Sequence, residues 1–184
     1  MAAVAHELDI ATIRADFPTL AHPMNGRRLV YLDSAATSQR PEPVLAAMDA
    51  YHREFNAPVH RGAYAIAAQA TEAMESARHR LARFIGAPRA HEVVFTKNAT
   101  ESLNLVAQAW GRANLGPGDA VVLTHLEHHA NIVPWQMIAA EKGFEIRWIP
   151  LTPEGHLDLT DLDRLLDGTR MVSFSAMSNV LGTL

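Results

Sequence analysis

Three short segments of this chain carry residue types that can hold an anion, move a proton and orient a polar ligand. The first is Thr96-Lys97-Asn98-Ala99-Thr100-Glu101, where an apolar run gives way to a helical pattern. A helix start offers backbone N–H groups without intrahelical partners, at the positive end of the helix dipole, and so suits a phosphate. Ala99 is small enough to admit a close approach, and Thr100 adds a hydroxyl. Ordinary capping explains the same residues, with Asn98 as the N-cap and Glu101 as its capping-box partner. The second segment, Thr124-His125-Leu126-Glu127-His128-His129-Ala130-Asn131, follows an apolar strand signal. Its three imidazoles and carboxylate raise metal ligation. Three histidines within five residues of loop would close poorly around one ion, however, and no H-E-x-x-H spacing is present. An imidazole that stacks on a flat aromatic ligand and exchanges protons fits better, with a structural or surface role still open. The third segment, Ser178-Asn179, presents an amide able both to donate and to accept.

A phosphate-ready helix start, an imidazole and an amide at corresponding strand exits suggest a phosphorylated aromatic cofactor, since open α/β sheets bind ligands beyond the carboxyl ends of their strands. Pyridoxal phosphate fits that description. A flavin or nicotinamide would call for a G-x-G-x-x-G fingerprint, and none is present. Lysine chemistry has few candidates, because Lys97 and Lys142 are the only lysines among 184 residues. The charged loop His60-Arg61-Gly62 reads by itself as a solvated surface feature.

The elements that must position these loops alternate. Residues 1–28 read as an N-terminal arm, with a short amphipathic helix around Asp9–Asp16 and the Asn25-Gly26 turn. Leu29–Leu32 is a short extended run. Pro41 and Pro43 open a helix, and a longer alanine-rich helix is predicted from about Ala67 to Ile85, stopped by Gly86 and Pro88. Strands are predicted at Val93–Phe95, Ala120–Leu123, Glu145–Ile149 and Met171–Phe174. Helices fall at Ala99–Arg112, Ile132–Lys142 and Leu159–Leu166. Strands separated by helices indicate βαβ units and a parallel sheet buried on both faces. Residues 29–184 would then be part of one domain. The last strand signal is followed by no closing helix, which is expected of the front part of a longer enzyme more than of a complete small domain.

Composition narrows the function classes. The chain is 48% hydrophobic and 20% charged, with a net charge of -4. That is globular and lacks the basic footprint of a nucleic-acid binder. No apolar run reaches the length of a membrane span, and Glu7, Asp9, Arg14 and Asp16 interrupt any signal-peptide pattern. A cytoplasmic protein with neither nucleic acid nor membrane as partner is expected. The absence of cysteine excludes a disulfide scaffold and any thiol nucleophile within these residues.

Several motifs together resemble the SUF-type cysteine desulfurases of the class V aminotransferase family. They are Tyr31-Leu32-Asp33-Ser34-Ala35-Ala36, Val59-His60-Arg61-Gly62, Ala99-Thr100-Glu101-Ser102-Leu103-Asn104-Leu105, Glu127 through Trp135, and Ser178 through Thr183. The similarity runs from about Ile10 to the last residue. It implies an α/β, three-layer, parallel-sheet large domain of the aspartate-aminotransferase-like fold, incomplete at the C-terminus. It implies pyridoxal 5'-phosphate as cofactor, with Ala99 and Thr100 on its phosphate, His128 stacked on the ring as catalytic proton carrier, and Asn179 facing the ring oxygen and the substrate. Ala35 and His60 would lie near the substrate, and no metal is implied. Relatives are homodimers that convert L-cysteine to L-alanine and an enzyme persulfide, which a SUF-type acceptor protein carries to iron–sulfur cluster assembly. Asn98-Ala99 stands where many relatives have Gly-Thr, which removes one hydroxyl from the expected phosphate contacts. In relatives the Schiff-base lysine, the aspartate on the pyridine nitrogen, the nucleophilic cysteine and a carboxylate-binding arginine lie beyond the point matching Leu184. The 184 residues alone are therefore expected to be inactive, and poorly soluble or molten. Related readings are a selenocysteine lyase-like member of the same family, or a non-catalytic truncated pseudo-enzyme.

Overall fold

The computed structural model describes residues 8–184, which divide into two compact units meeting at Val94 and Phe95. In the first unit, α1 (Ile10–Ala15) starts on Asp9, whose carboxylate accepts from the N–H groups of Ala11 and Thr12. The Arg14 guanidinium then ties the following turns together through the carbonyls of Leu20 and Leu29, at 3.0 and 2.8 Å. Helices α2 (Glu42–Glu54) and α3 (Ala65–Ile85) follow. Their small core gathers Ala57, Ala67 and Ala70 beside Tyr51, Phe55 and Val59. Gly86 ends α3 at φ 72°, a left-handed backbone that glycine adopts without Cβ strain.

The second unit is α/β. Helix α4 (Ala99–Val106) runs through a π turn (Ala107–Gly111) into α5 (Arg112–Asn114). Then come β1 (Ala120–Thr124), α6 (Val133–Lys142), β2 (Glu145–Ile149), α7 (Leu162–Leu166) and β3 (Thr169–Val172). The strands form one parallel sheet in the order β2-β1-β3. Because side chains alternate along a strand, β1 feeds two cores. Val121 and Leu123 pack with Ala107, Trp135 and Ile138, while Val122 packs with Ile149 and Leu165 of α7. Helices therefore cover both faces of the central strand, the three-layer α/β arrangement that the alternating pattern predicts. Gly111 lies so close beneath α6 that a Cβ there would meet Trp135 Cζ3 at 3.1 Å.

Some expectations need correction. Val93–Phe95 is not a strand, and Leu29–Leu32 joins no ladder. A strand exists only through a ladder of hydrogen bonds to a neighbouring strand, and the described sheet contains β1, β2 and β3 alone. Val94 accordingly remains 65% exposed. Only β1 is buried on both faces, since β2 and β3 are the sheet edges. The last strand ends at Val172 rather than Phe174, and α7 starts at Leu162 because Asp158 binds Thr160 in a local side-chain turn. No described helix is long and apolar enough to cross a membrane.

Candidate active site

The start of α4 is built by Asn98. Its side chain accepts from the Glu101 N–H at 2.9 Å, and its carbonyl accepts from the Ser102 N–H. Glu101 reaches back to the N–H of Lys97 at 2.6 Å, one residue earlier than the reciprocal bond of a capping box. The cap thus engages the third helical N–H. The N–H groups of Ala99 and Thr100, and the Thr100 hydroxyl, have no partner among the described residues. Three donors thus remain available at a helix start, where the helix dipole favours negative charge. Lys97 points elsewhere, with an 82% exposed side chain 3.7 Å from Glu101.

His128 precedes a 3-10 turn (His129–Asn131) and caps it, its Nδ1 accepting from the Ala130 N–H at 3.0 Å. A nitrogen that accepts carries no proton, so the neutral ring is protonated at Nε2. That nitrogen has no partner among the described residues and is free for a ligand. His128, Ala99 and Thr100 line the same cavity of about 530 Å³, together with Asn131, Ser173 and Ser175. His125 and His129 line a different cleft beside Trp148, and among the described residues no three His, Cys, Asp or Glu side chains converge on a metal-sized site.

Beneath the imidazole turn lies the carboxylate that the residue pattern raised only as a metal ligand. Glu127 is 9% exposed and has no cationic partner in hydrogen-bond reach among the described residues. Burial pushes its carboxyl up, but bonds donated by Asn131, Thr124 and Ser175 outweigh this and hold it below the usual glutamate range. Ser173 and Ser175 were also unmarked in the sequence. They reach the site only because β3 lies beside β1, which a linear pattern does not show.

The remaining expected site residues lie outside this cavity. Asn179 occupies an exposed turn after Ser178 and is not among the lining residues. Ala35 and His60 belong to the first unit. Ala35 sits in an exposed turn closed on the Asp33 carbonyl by the N–H groups of Ala36 and Thr37. His60 has φ 60°, unusual for a residue with a Cβ, and is pinned there from two sides. Its N–H donates to Thr71 Oγ1 at 3.0 Å, and its Nε2 lies 3.1 Å from Glu75 Oε1. The His60 bond, aided by Arg78, holds the Glu75 carboxyl below its ordinary value.

Residues 30–184 match the family model described as Aminotransferase class-V. The cysteine desulfurase of Klebsiella pneumoniae subsp. pneumoniae is 49% identical over 175 residues, covering 95% of this chain and 43% of the relative. The apo structure of cysteine desulfurase from Thermococcus onnurineus NA1 superposes with a TM-score of 0.85 at 38% identity, covering 97% of this chain and 43% of that one. A C-DES variant with glycine covalently linked to its PLP cofactor aligns with a TM-score of 0.67 at 26% identity, covering 90% of this chain and 41% of that one. The chain thus spans less than half the length of the relatives it matches.

Proposed function

This chain belongs to the class V aminotransferase family, and from that premise we propose that it forms part of a pyridoxal 5'-phosphate-dependent cysteine desulfurase of the SUF type. The observation that carries the proposal is the meeting of Ala99, Thr100 and His128 in one cavity with their donors unspent. Two backbone N–H groups and a hydroxyl at a helix start fit a phosphate dianion, and the imidazole supplies a flat partner for a pyridine ring. When bound, the cofactor supplies an electron sink for the substrate's α-carbon. The chain's own part is to hold the phosphate at α4 and to take or return a proton at His128 Nε2. The substrate is L-cysteine, giving L-alanine and sulfur for an acceptor protein of iron–sulfur cluster assembly. The working form is a cytoplasmic homodimer. Residues 1–28 form an arm, and residues 29–184 form the N-terminal part of the cofactor-binding domain. Asn179 faces the cofactor's ring oxygen and the substrate, and Ala35 and His60 lie near the substrate, with His60 close to the partner subunit's site.

These 184 residues hold no cysteine, and their two lysines are Lys97 and Lys142. Neither lysine lines the cavity, so the amine and thiol of the reaction come from residues other than these. The test is alanine release from L-cysteine. The 184-residue chain is expected to release none, whereas a polypeptide extended to the relatives' length releases alanine when loaded with pyridoxal phosphate. An extended polypeptide that binds the cofactor yet leaves cysteine untouched while turning over selenocysteine or another amino acid overturns the substrate assignment.

A further inference from the structure

Glu127 is buried beside the cavity with every carboxylate oxygen engaged, and none of the roles described so far uses it. We propose that Glu127 is a positioning residue: it clasps the His128 turn to the exit of β3 and so holds His128 in the cavity as a single tautomer, protonated at Nε2. The inference rests on the functional reading for its purpose, but not for its geometry.

All the neighbours of this carboxylate donate. Thr124 Oγ1 gives to Oε1 at 2.6 Å, and the Ser175 N–H gives to the same oxygen at 2.9 Å. Asn131 Nδ2 and Ser175 Oγ give to Oε2 at 2.7 and 2.9 Å. Asn131 cannot reverse its amide to accept instead. Its Oδ1 already receives Trp135 Nε1 at 3.1 Å and Ser173 Oγ at 2.7 Å. The site therefore demands acceptors on every side, which an ionised carboxylate provides and a neutral amide of the same shape does not. The bond from Asn131 to Glu127 closes a ring of five residues, and His128, His129 and Ala130 are the span it encloses. Within that ring the Asn131 N–H meets the His128 carbonyl at 2.8 Å, and the Ala130 N–H meets His128 Nδ1. Opening the clasp removes the constraint that keeps Nδ1 an acceptor. The two bonds from Ser175 extend the clasp across the sheet, from the exit of β1 to the exit of β3.

Nitrogen-15 NMR of the His128 ring, in the polypeptide extended to the relatives' length and freed of cofactor, at neutral pH tests this, with the signals assigned by their loss in His128→Asn. The expected result is a bare Nδ1 and a protonated Nε2 in the unaltered protein. Glu127→Gln sets an N–H donor against Asn131 Nδ2 or, with the amide reversed, against the Ser175 N–H, so the clasp opens at one end in either orientation. The two ring signals should then move towards the averaged values of mixed tautomers. Exchanging the groups, in the double variant Glu127→Gln with Asn131→Asp, restores a donor facing an acceptor and should return both signals. A proton on Nδ1 in the unaltered protein overturns the proposal without any variant. Unchanged signals in Glu127→Gln, or a double variant no nearer the original than the single one, overturn it as well. Should Glu127→Gln fail to fold, the double variant decides: folding with the original ring signals supports the clasp, and failure to do so contradicts it. The readout needs no pyridoxal phosphate, so loss of the functional reading and loss of the clasp are separately visible.

Discussion

At the scale of single residues, the proposed site separates groups placed to meet a ligand from a group that holds them. His128 has one ring nitrogen committed to its own turn and the other free, the arrangement a proton carrier needs. In a cysteine-converting form of the protein, His128→Ala should lower the rate of alanine formation by roughly 10²–10⁴-fold, the usual scale for a general acid–base group. Unaltered turnover would remove His128 from the chemistry. Thr100 adds the one hydroxyl among the three free donors. Thr100→Val should weaken pyridoxal phosphate binding by about tenfold, the worth of a hydrogen bond to a charged group, as read by fluorescence titration. Glu127 carries a pH signature of its own. Its folded value is depressed, so the unfolded chain binds more protons between the two values and stability rises with pH there. The contribution of Glu127 is present above the ordinary glutamate range, roughly 4.3, and is lost as pH falls towards the lower folded value. Urea midpoints of the polypeptide extended to the relatives' length, followed against pH, should show this acid loss, and Glu127→Gln should shrink it.

Elements are where the sequence was most and least legible. Asn98, Gly86 and Gly143 mark helix ends whose chemistry is local, and the helices begin or stop beside them. The run Ala120–Leu123 is the central strand, since four apolar residues in succession suit a position covered on both faces. Val93–Phe95 carries a similar signal and forms no strand, because pairing depends on a neighbour that the run itself cannot specify. The candidate site divides in the same way. Ala99, Thr100 and His128 stand out by residue type within their own loops, whereas Ser173 and Ser175 look unremarkable until β3 is laid beside β1. Glu127 belonged to a quoted motif, but its burial and its four donors arise from three separate segments. At this scale Gly111 is the most exposed to test. A methyl there gains about 1 kcal/mol of helix propensity. It also meets Trp135, which is 1% exposed and pinned through Nε1 to Asn131, so the ring has nowhere to go. Overpacking of this kind costs about 1–3 kcal/mol, and in the extended polypeptide Gly111→Ala should therefore lower the urea midpoint on balance. A raised midpoint would show that the π turn adjusts freely.

For the whole molecule, the second unit is a three-stranded parallel sheet with helices on both faces, whose strand exits supply the imidazole loop and the serines of the cavity. On the proposed reading the chain supplies the anion site and the proton carrier, and its two lysines lie outside the cavity. Adding pyridoxal phosphate and borohydride to the 184-residue chain should leave Lys97 unmodified beyond the level of any exposed surface amine, as read by mass spectrometry. The most direct measurement is a crystal structure of the protein with pyridoxal phosphate bound. The phosphate should lie within about 3.2 Å of the N–H groups of Ala99 and Thr100, with the ring against the His128 imidazole. A cofactor whose phosphate is held elsewhere, leaving the start of α4 to solvent, would contradict the account.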